Sequence, residues 1–253
     1  MDKAYWDGLA GCYARKVFDV LGQDRRETIC SRIARLGGAG KSAADAGCGT
    51  GRFLPILCRC FSKVIAIDVS HGLLQKARRR CRAHSNVRFL RADLSRGGTE
   101  WPAVDLVVCV NCLITPSAPR RTRMLSAMRA HMKSGGHLLL VVPSLESALY
   151  SGFRLVEWNR KDGMTPSQAV RAGWGRDGKS LSLRVGQGLV ALDGVWTKHF
   201  LKEELEVTAA DLNLDLVEIV KVEYGWNTEF NRPPRWLGSP LPWDWLVVAT
   251  RST

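Results

Sequence analysis

No stretch of the 253-residue chain is apolar over the ~20 residues that a membrane-spanning helix needs. The longest runs, Leu106–Ile114 and Leu138–Val142, have the length of strands. The opening residues, MDKAYWDGLAG, lack the apolar core of a secretion signal. There is no internal repeat and no low-complexity tail. The eight cysteines, at 12, 30, 48, 58, 60, 81, 109 and 112, show no paired zinc spacing, because Cys109-x-x-Cys112 has no second pair and no clustered histidine. These absences predict a soluble cytoplasmic protein with no membrane partner, no metal and thiols that are reduced and mostly buried. Acids are missing from Val69–Ala92, which carries Lys76, Arg78, Arg79, Arg80, Arg82, Arg88 and Arg91. They are missing again from Leu106–Leu145, which carries Arg120, Arg121, Arg123, Arg129 and Lys133.

The composition itself is that of a folded chain, 45% apolar and 24% charged, which excludes wholesale disorder. Its 37 Lys and Arg against 24 Asp and Glu give a net charge of +13, a property that bears on partners and not on fold. Short β-branched runs alternate with amphipathic stretches, the pattern of an α/β protein with a doubly wound parallel sheet. The expected strands are 42–46, 63–68, 87–92, 104–111, 137–143, 215–224 and 245–250. Helices are expected at about 24–35, 51–60, 70–83, 120–132 and 202–212, with Asn213 closing the last of them. Along 215–224, alternation puts Leu216, Glu218, Val220, Val222 and Tyr224 on one face. Two segments break the rhythm. Residues 144–201 far exceed a βαβ crossover of about a dozen residues and read as an inserted lid or substrate wall, or as a structural or dimer contact. The other, 225–242, contains Pro233, Pro234, Pro240 and Pro242 and reads as a stiffened loop.

The most specific local signal is Asp45-Ala46-Gly47-Cys48-Gly49-Thr50-Gly51, which follows a strand and opens a helix. A dinucleotide fingerprint would need glycine at position 52, which is Arg, and a Walker loop would need Gly-Lys-Ser/Thr, which is absent. Glycines here let the backbone turn tightly and approach a ligand, and the helix start at Gly51 is expected to offer free N–H groups. In this Asp-x-Gly-x-Gly-x-Gly form the chain resembles the class I S-adenosylmethionine-dependent methyltransferases, over roughly residues 24–145 and more loosely to the end. Asp68 ending the second strand, Asp93 following the third and Asp105 opening the fourth complete the ordered set that carries the resemblance.

The resemblance implies a seven-stranded, mostly parallel sheet with an antiparallel last strand, formed by a single domain spanning 1–253. Residues 1–23 would be an N-terminal cap and 144–201 the insertion. It implies S-adenosylmethionine as cofactor, with S-adenosylhomocysteine as product. Gly47, Cys48, Gly49 and Gly51 would line the amino-acid portion, with Asp45 near the ammonium. Asp68 would accept bonds from both ribose hydroxyls, Asp93 would read the adenine amino group, and Val69 and Leu94 would sandwich the purine. Asn111 would face the sulfonium. Tyr5-Trp6-Asp7 and Tyr13 resemble the opening segment of the small-molecule members, which folds over the cofactor; the same residues could simply staple the first helix.

Methyl transfer from a sulfonium requires an aligned nucleophile and exclusion of water, with a base only where a proton must leave. Glu146 and His199 are the candidate catalytic residues, since both flank the insertion near the sheet edge. Cys109 and Cys112 are expected on opposite faces of their strand, so at most one thiol faces the pocket. The fourth strand ends Asn111-Cys112-Leu113-Ile114, not in the Asn/Asp-Pro-Pro-Tyr/Phe of amino-group nucleic-acid methylases, and the Pro-Cys of cytosine methylases is missing. The sequence therefore points to a small-molecule acceptor. RNA is the alternative partner, motivated by the two basic stretches, against which stands the reading of a solvated helix face. Oligomeric state is not specified.

Overall fold

The central strand β1 (Gly38–Ala46) is exposed at its start and buried at its end, where Ala43, Ala44 and Ala46 have no accessible surface. Small side chains there allow helices to pack closely on both faces. In the computed structural model, which describes residues 3–13, 17–96, 100–174, 184–192 and 194–252, β1 pairs in parallel with β2 (Phe61–Asp68) and β4 (Val104–Val110). Strand β3 (Val87–Arg91) extends β2, and β5 (Met132–Pro143) extends β4, again in parallel. All seven expected strands of the large sheet form. A separate short hairpin, β6 (Leu189–Leu192) and β7 (Val195–Lys198), lies within the insertion.

The sheet order is β3-β2-β1-β4-β5-β9-β8, with β8 at Leu214–Glu223 and β9 at Trp243–Arg251. The final strand β9 is antiparallel to both β5 and β8, as expected. One row runs across it through Ile65, Ala44, Val107, Leu138 and Ala249. A register shift between Leu216 and Glu218 takes Leu216 off the face shared by Val220, Val222 and Tyr224, and it is 40% exposed. Strict alternation failed at that bulge.

Helices cover both faces. On one, α3 (Thr28–Leu36), α4 (Leu54–Cys60) and α5 (His71–Arg80) bury Ile29, Ile33, Leu54, Leu57, Leu74 and Ala77 against Val64, Ala66 and Val108. On the other, α6 (Ala118–Ala130) and α9 (Lys202–Asp211) bury Leu125, Met128 and Leu205 against Ile67, Val107 and Leu140. The helix expected at 24–35 begins only at Thr28, after a separate single turn α2 (Val20–Gln23), and Asp24 accepts the Ile29 backbone N–H at 2.8 Å. Asn213 adopts the left-handed conformation after α9 (φ 48°).

The insertion is more regular than the sequence suggests. Ser144 caps α7 (Leu145–Lys161), accepting the Ser147 N–H at 3.0 Å, and α8 (Pro166–Trp174) packs back on α7. Residues 175–183 of the insertion lie outside the described set. The chain leaves β5 and returns beside it, with Phe200 N–H on Pro143 O and Leu145 N–H on Phe200 O. Among the described residues no helix is long and apolar enough to cross a membrane.

Candidate functional site

A cavity opens where the carboxyl ends of β1, β2 and β4 meet. It is lined by Gly47 after β1, Asp68 and Val69 after β2, Asp93 and Leu94 beyond β3, and Asn111 and Cys112 after β4. Trp6, from α1 (Lys3–Leu9), and Tyr13 close it from the N-terminal side. This is the edge where a parallel sheet presents its loops to a ligand.

The glycine loop fits its place residue by residue. Gly47, Gly49 and Gly51 all have left-handed φ, at 80°, 53° and 74°. A β-carbon on Gly47 would strike the Cys112 side chain; one on Gly49 would lie 2.7 Å from Tyr13 Oη. One on Gly51 would press on Leu54 and Ala77, the seam between α4 and α5. The glycine N–H groups of the loop and that of Cys48 are already used within the fold. Gly47 and Cys48 donate to Ile67 O at 2.8 and 2.9 Å, and Gly51 donates to Cys48 O at 2.8 Å. Helix α4 begins only at Leu54, so its first turn is displaced from Gly51.

Two acids sit under this loop. Asp68 accepts Gly49 N–H on one oxygen and Ser70 N–H on the other, both at 2.8 Å, which fixes the carboxylate plane while leaving acceptor capacity on each oxygen. Burial raises its pKa against those two bonds. Asp45 is 2% exposed and its Oδ2 has no partner among the described residues. Burial, with the Asp68 charge second, pushes its carboxyl up to about 7. Tyr13 is likewise raised by burial and by Asp68, so its phenol is protonated and can donate.

Asp93 accepts Ser95 N–H at 3.0 Å and Ser95 Oγ–H at 2.6 Å, with Arg96 and Arg120 at 3.4 and 3.7 Å on its other oxygen. Val69 and Leu94 both line the cavity. Asn111 holds a left-handed backbone (φ 48°) at the end of β4, its Nδ2–H on Asp244 Oδ2 at 3.2 Å, and its Oδ1 is buried without a partner among the described residues. The same Asp244 oxygen accepts the Tyr224 hydroxyl at 3.0 Å. Neither Asp244 nor Tyr224 is singled out for the site by sequence, because Asp244 meets Asn111 only across a separation of 133 residues. Ile114, Thr115, Arg120 and Met124 are further wall residues that the sequence reading did not assign.

Other expectations land elsewhere. Cys112 lines the cavity while Cys109 is in the core, so one thiol faces it. They are not on opposite faces, however: past the turn at Asn111, Cys112 packs against the core cluster that holds Cys109. The neighbouring Cys109 thiol and burial push the Cys112 thiol well above its ordinary pKa, which keeps it a neutral thiol. Asp105 lies at the other end of the sheet, accepting Ser42 N–H, Ser42 Oγ–H and Lys133.

The structure does not bring His199 or Glu146 into the cavity wall. Glu146 accepts Lys202 N–H at 2.8 Å, Ser144 Oγ–H at 2.9 Å and Trp245 Nε1–H at 3.0 Å, tying α7, α9 and β9 together. Burial would raise its pKa, but these bonds outweigh it and hold the carboxyl below its usual range. His199 is buried where the chain re-enters the sheet, and burial pushes its imidazole down to about 4. Among the described residues no group of three or more His, Cys, Asp or Glu side chains could hold a metal ion.

Comparison with known proteins agrees with this geometry. Residues 43–136 match the methyltransferase domain family. Isonocardicin synthase from Nocardia uniformis subsp. tsuyamanensis is 30% identical over 150 residues, covering 56% of this chain and 45% of that protein. The chain thus spans less than half the length of that curated relative. The N-methyltransferase NodS from Bradyrhizobium japonicum WM9, solved with S-adenosyl-L-homocysteine, superimposes with a TM-score of 0.60 at 15% identity over 100% of both chains. Magnesium protoporphyrin IX methyltransferase (ChlM) from Synechocystis PCC 6803, solved with bound S-adenosylmethionine, does so with a TM-score of 0.60 at 15% identity, covering 99% of this chain and 95% of that one. Residues 43–136 thus carry a methyltransferase domain, and the fold of the whole chain is the one seen in methyltransferases solved with S-adenosylmethionine or S-adenosyl-L-homocysteine. The group bound in those structures is S-adenosylmethionine or its product. The residues present suit that group: the glycine cradle has no room for side chains, and buried acceptors on Asp45 and Asn111 lack donors that a cationic amino acid could supply.

Proposed function

We propose that the chain transfers a methyl group from S-adenosylmethionine to a small-molecule acceptor. The observation that carries this reading is the closure of the cavity over its acids by Trp6 and Tyr13 from the chain's own N-terminal segment. The bound cofactor supplies an already activated methyl on a sulfonium, so the protein's part is alignment and exclusion of water.

The residues divide that work. Asp68 holds the ribose hydroxyls, Asp45 faces the ammonium, and Asp93 with Val69 and Leu94 receives the adenine. Gly47, Cys48, Gly49 and Gly51 shape the backbone around the amino-acid portion, Tyr13 covers it, and Asn111 faces the sulfonium. Residues 1–23 act as the cap. The insertion, 144–201, is a substrate wall: Lys198 N–H bonds Ile114 O, and Ile114 lines the cavity. No proton need pass to His199 or Glu146, since both are committed to contacts outside the cavity.

Small acceptors are favoured over RNA by how the basic residues are spent. Arg121 donates to Thr115 O, Arg123 to Ser95 O, Arg129 to Leu212 O, Arg80 to Thr50 O and Lys76 to Ala10 O. Arg78 lies 4.6 Å over the Phe89 ring. These side chains tie loops to helices, which leaves Arg79, Arg82, Arg88 and Arg91 as the exposed remainder of the first basic stretch. Relatives named for compact acceptors, such as magnesium protoporphyrin IX methyltransferase, support the same reading.

The test is to incubate the protein with methyl-labelled S-adenosylmethionine and separated metabolite, RNA and protein pools of a cell extract. Label should enter the metabolite pool and co-purify with one compound. Label confined to RNA would replace this reading with the RNA alternative.

A further inference from the structure

Asn111 links the cofactor cavity to a buried polar pair, Asp244 and Tyr224, on the last two strands. Its carboxamide could sit in either of two flips, presenting oxygen or NH2 to the cavity. The contact to Asp244 removes that choice. A carboxylate accepts and cannot donate, so it binds Nδ2 and leaves Oδ1 on the other side of the amide, where it is buried and without a partner among the described residues. Asp244 is in turn fixed by the Tyr224 hydroxyl on the same oxygen. Its described hydrogen-bond partners include no Lys or Arg, although it is only 8% exposed. Burial pushes its carboxyl up to about 6, against the bonds from Asn111 and Tyr224 that favour the ion. The result is an uncompensated negative charge behind an amide dipole whose negative end points away from it.

We propose that Asp244 and Tyr224 are positioning residues that act through Asn111 to make the cavity favour a positively charged sulfonium over a neutral thioether, so that cofactor is held more firmly relative to spent product. The inference rests on the reading that Asn111 faces the sulfonium. A purely structural role for the Tyr224–Asp244 bond, joining β8 to β9, would affect both ligands alike.

Equilibrium binding of S-adenosylmethionine and S-adenosylhomocysteine by titration calorimetry separates the two. Asp244→Asn can release the amide flip because Asn offers a donor as well as an acceptor. It should weaken S-adenosylmethionine about tenfold while S-adenosylhomocysteine changes less than about twofold. In an Asn111→Ala background the same substitution should cost S-adenosylmethionine no more than about twofold, since the residue it acts through is gone. Tyr224→Phe, a milder change that keeps the carboxylate, should shift the ratio the same way by a smaller factor, and serves if Asp244→Asn does not fold. Equal losses for both ligands, or losses that add in the double variant, would overturn the proposal. A wild-type chain that binds neither ligand would overturn it together with the methyltransferase reading. Binding of both with an unchanged ratio would overturn this inference alone.

Discussion

A carboxyl group buried as deeply as that of Asp45 keeps its proton to about pH 7, whereas in the unfolded chain it would lose it near pH 4. Between those values the folded state binds the extra proton, so this residue's contribution to stability declines as pH rises through the window. A ligand ammonium reverses the preference, because it favours the carboxylate. Cofactor binding should therefore expel a proton, and affinity for S-adenosylmethionine should rise from pH 6 to pH 8. Asp45→Asn should flatten that rise. Calorimetric titrations in buffers of different ionisation heat would detect the released proton, and a wild-type affinity that is flat or falls with pH would contradict the assignment. Asp68 works differently, since its two backbone bonds already hold the carboxylate plane. Removing it in Asp68→Ala should cost about 3 kcal/mol of cofactor affinity, roughly a hundredfold, as expected for two charge-assisted hydrogen bonds. A loss below threefold would mean that the ribose lies elsewhere.

At the scale of elements, Ser70 joins three parts of the structure. It caps α5 by accepting Leu73 N–H, donates its hydroxyl to Asp7 of α1, and gives its N–H to Asp68. Ser70→Ala should lower stability by about 1 kcal/mol through the cap and loosen α1 from α5. Thermal unfolding would show the first effect and faster release of cofactor the second. A variant with unchanged melting temperature and release would show that α1 is held by other contacts. The strands and the loop at Gly47–Gly51 were legible because each is local: apolar alternation marks a strand, and glycines mark positive φ. Helix α7 was not read, although Ser144 and Ser147 form its cap, because the long interval to Leu201 resembled irregular chain. The bulge at Leu216–Glu218 leaves no sequence mark. Asp244 is a further kind of miss, a lone acid in an apolar strand whose role exists only once β9 lies next to β5 and its end meets Asn111.

Across the whole molecule, the net charge of +13 and the chemistry of the cavity point in opposite directions. Asp45, Asp68, Asp93 and Asp244 gather at one edge of the sheet, as suits a ligand with a sulfonium and an ammonium, while Arg80, Arg121, Arg123 and Arg129 brace helices against loops. Electrostatic attraction to RNA should accordingly be weak, with a Kd no tighter than the ~10⁻⁴–10⁻⁶ M of sequence-independent binding and a steep loss with salt. Filter binding at two salt concentrations would check this, and nanomolar RNA affinity that survives physiological salt would count against a small acceptor.

If the cavity beneath Trp6 and Tyr13 holds the cofactor in one orientation, a crystal structure with S-adenosylhomocysteine bound will show it. The predicted result has both ribose hydroxyls on Asp68, the adenine between Val69 and Leu94, and the thioether sulfur facing Asn111. A ligand with its ribose away from Asp68, or one seated outside this cavity, would contradict it.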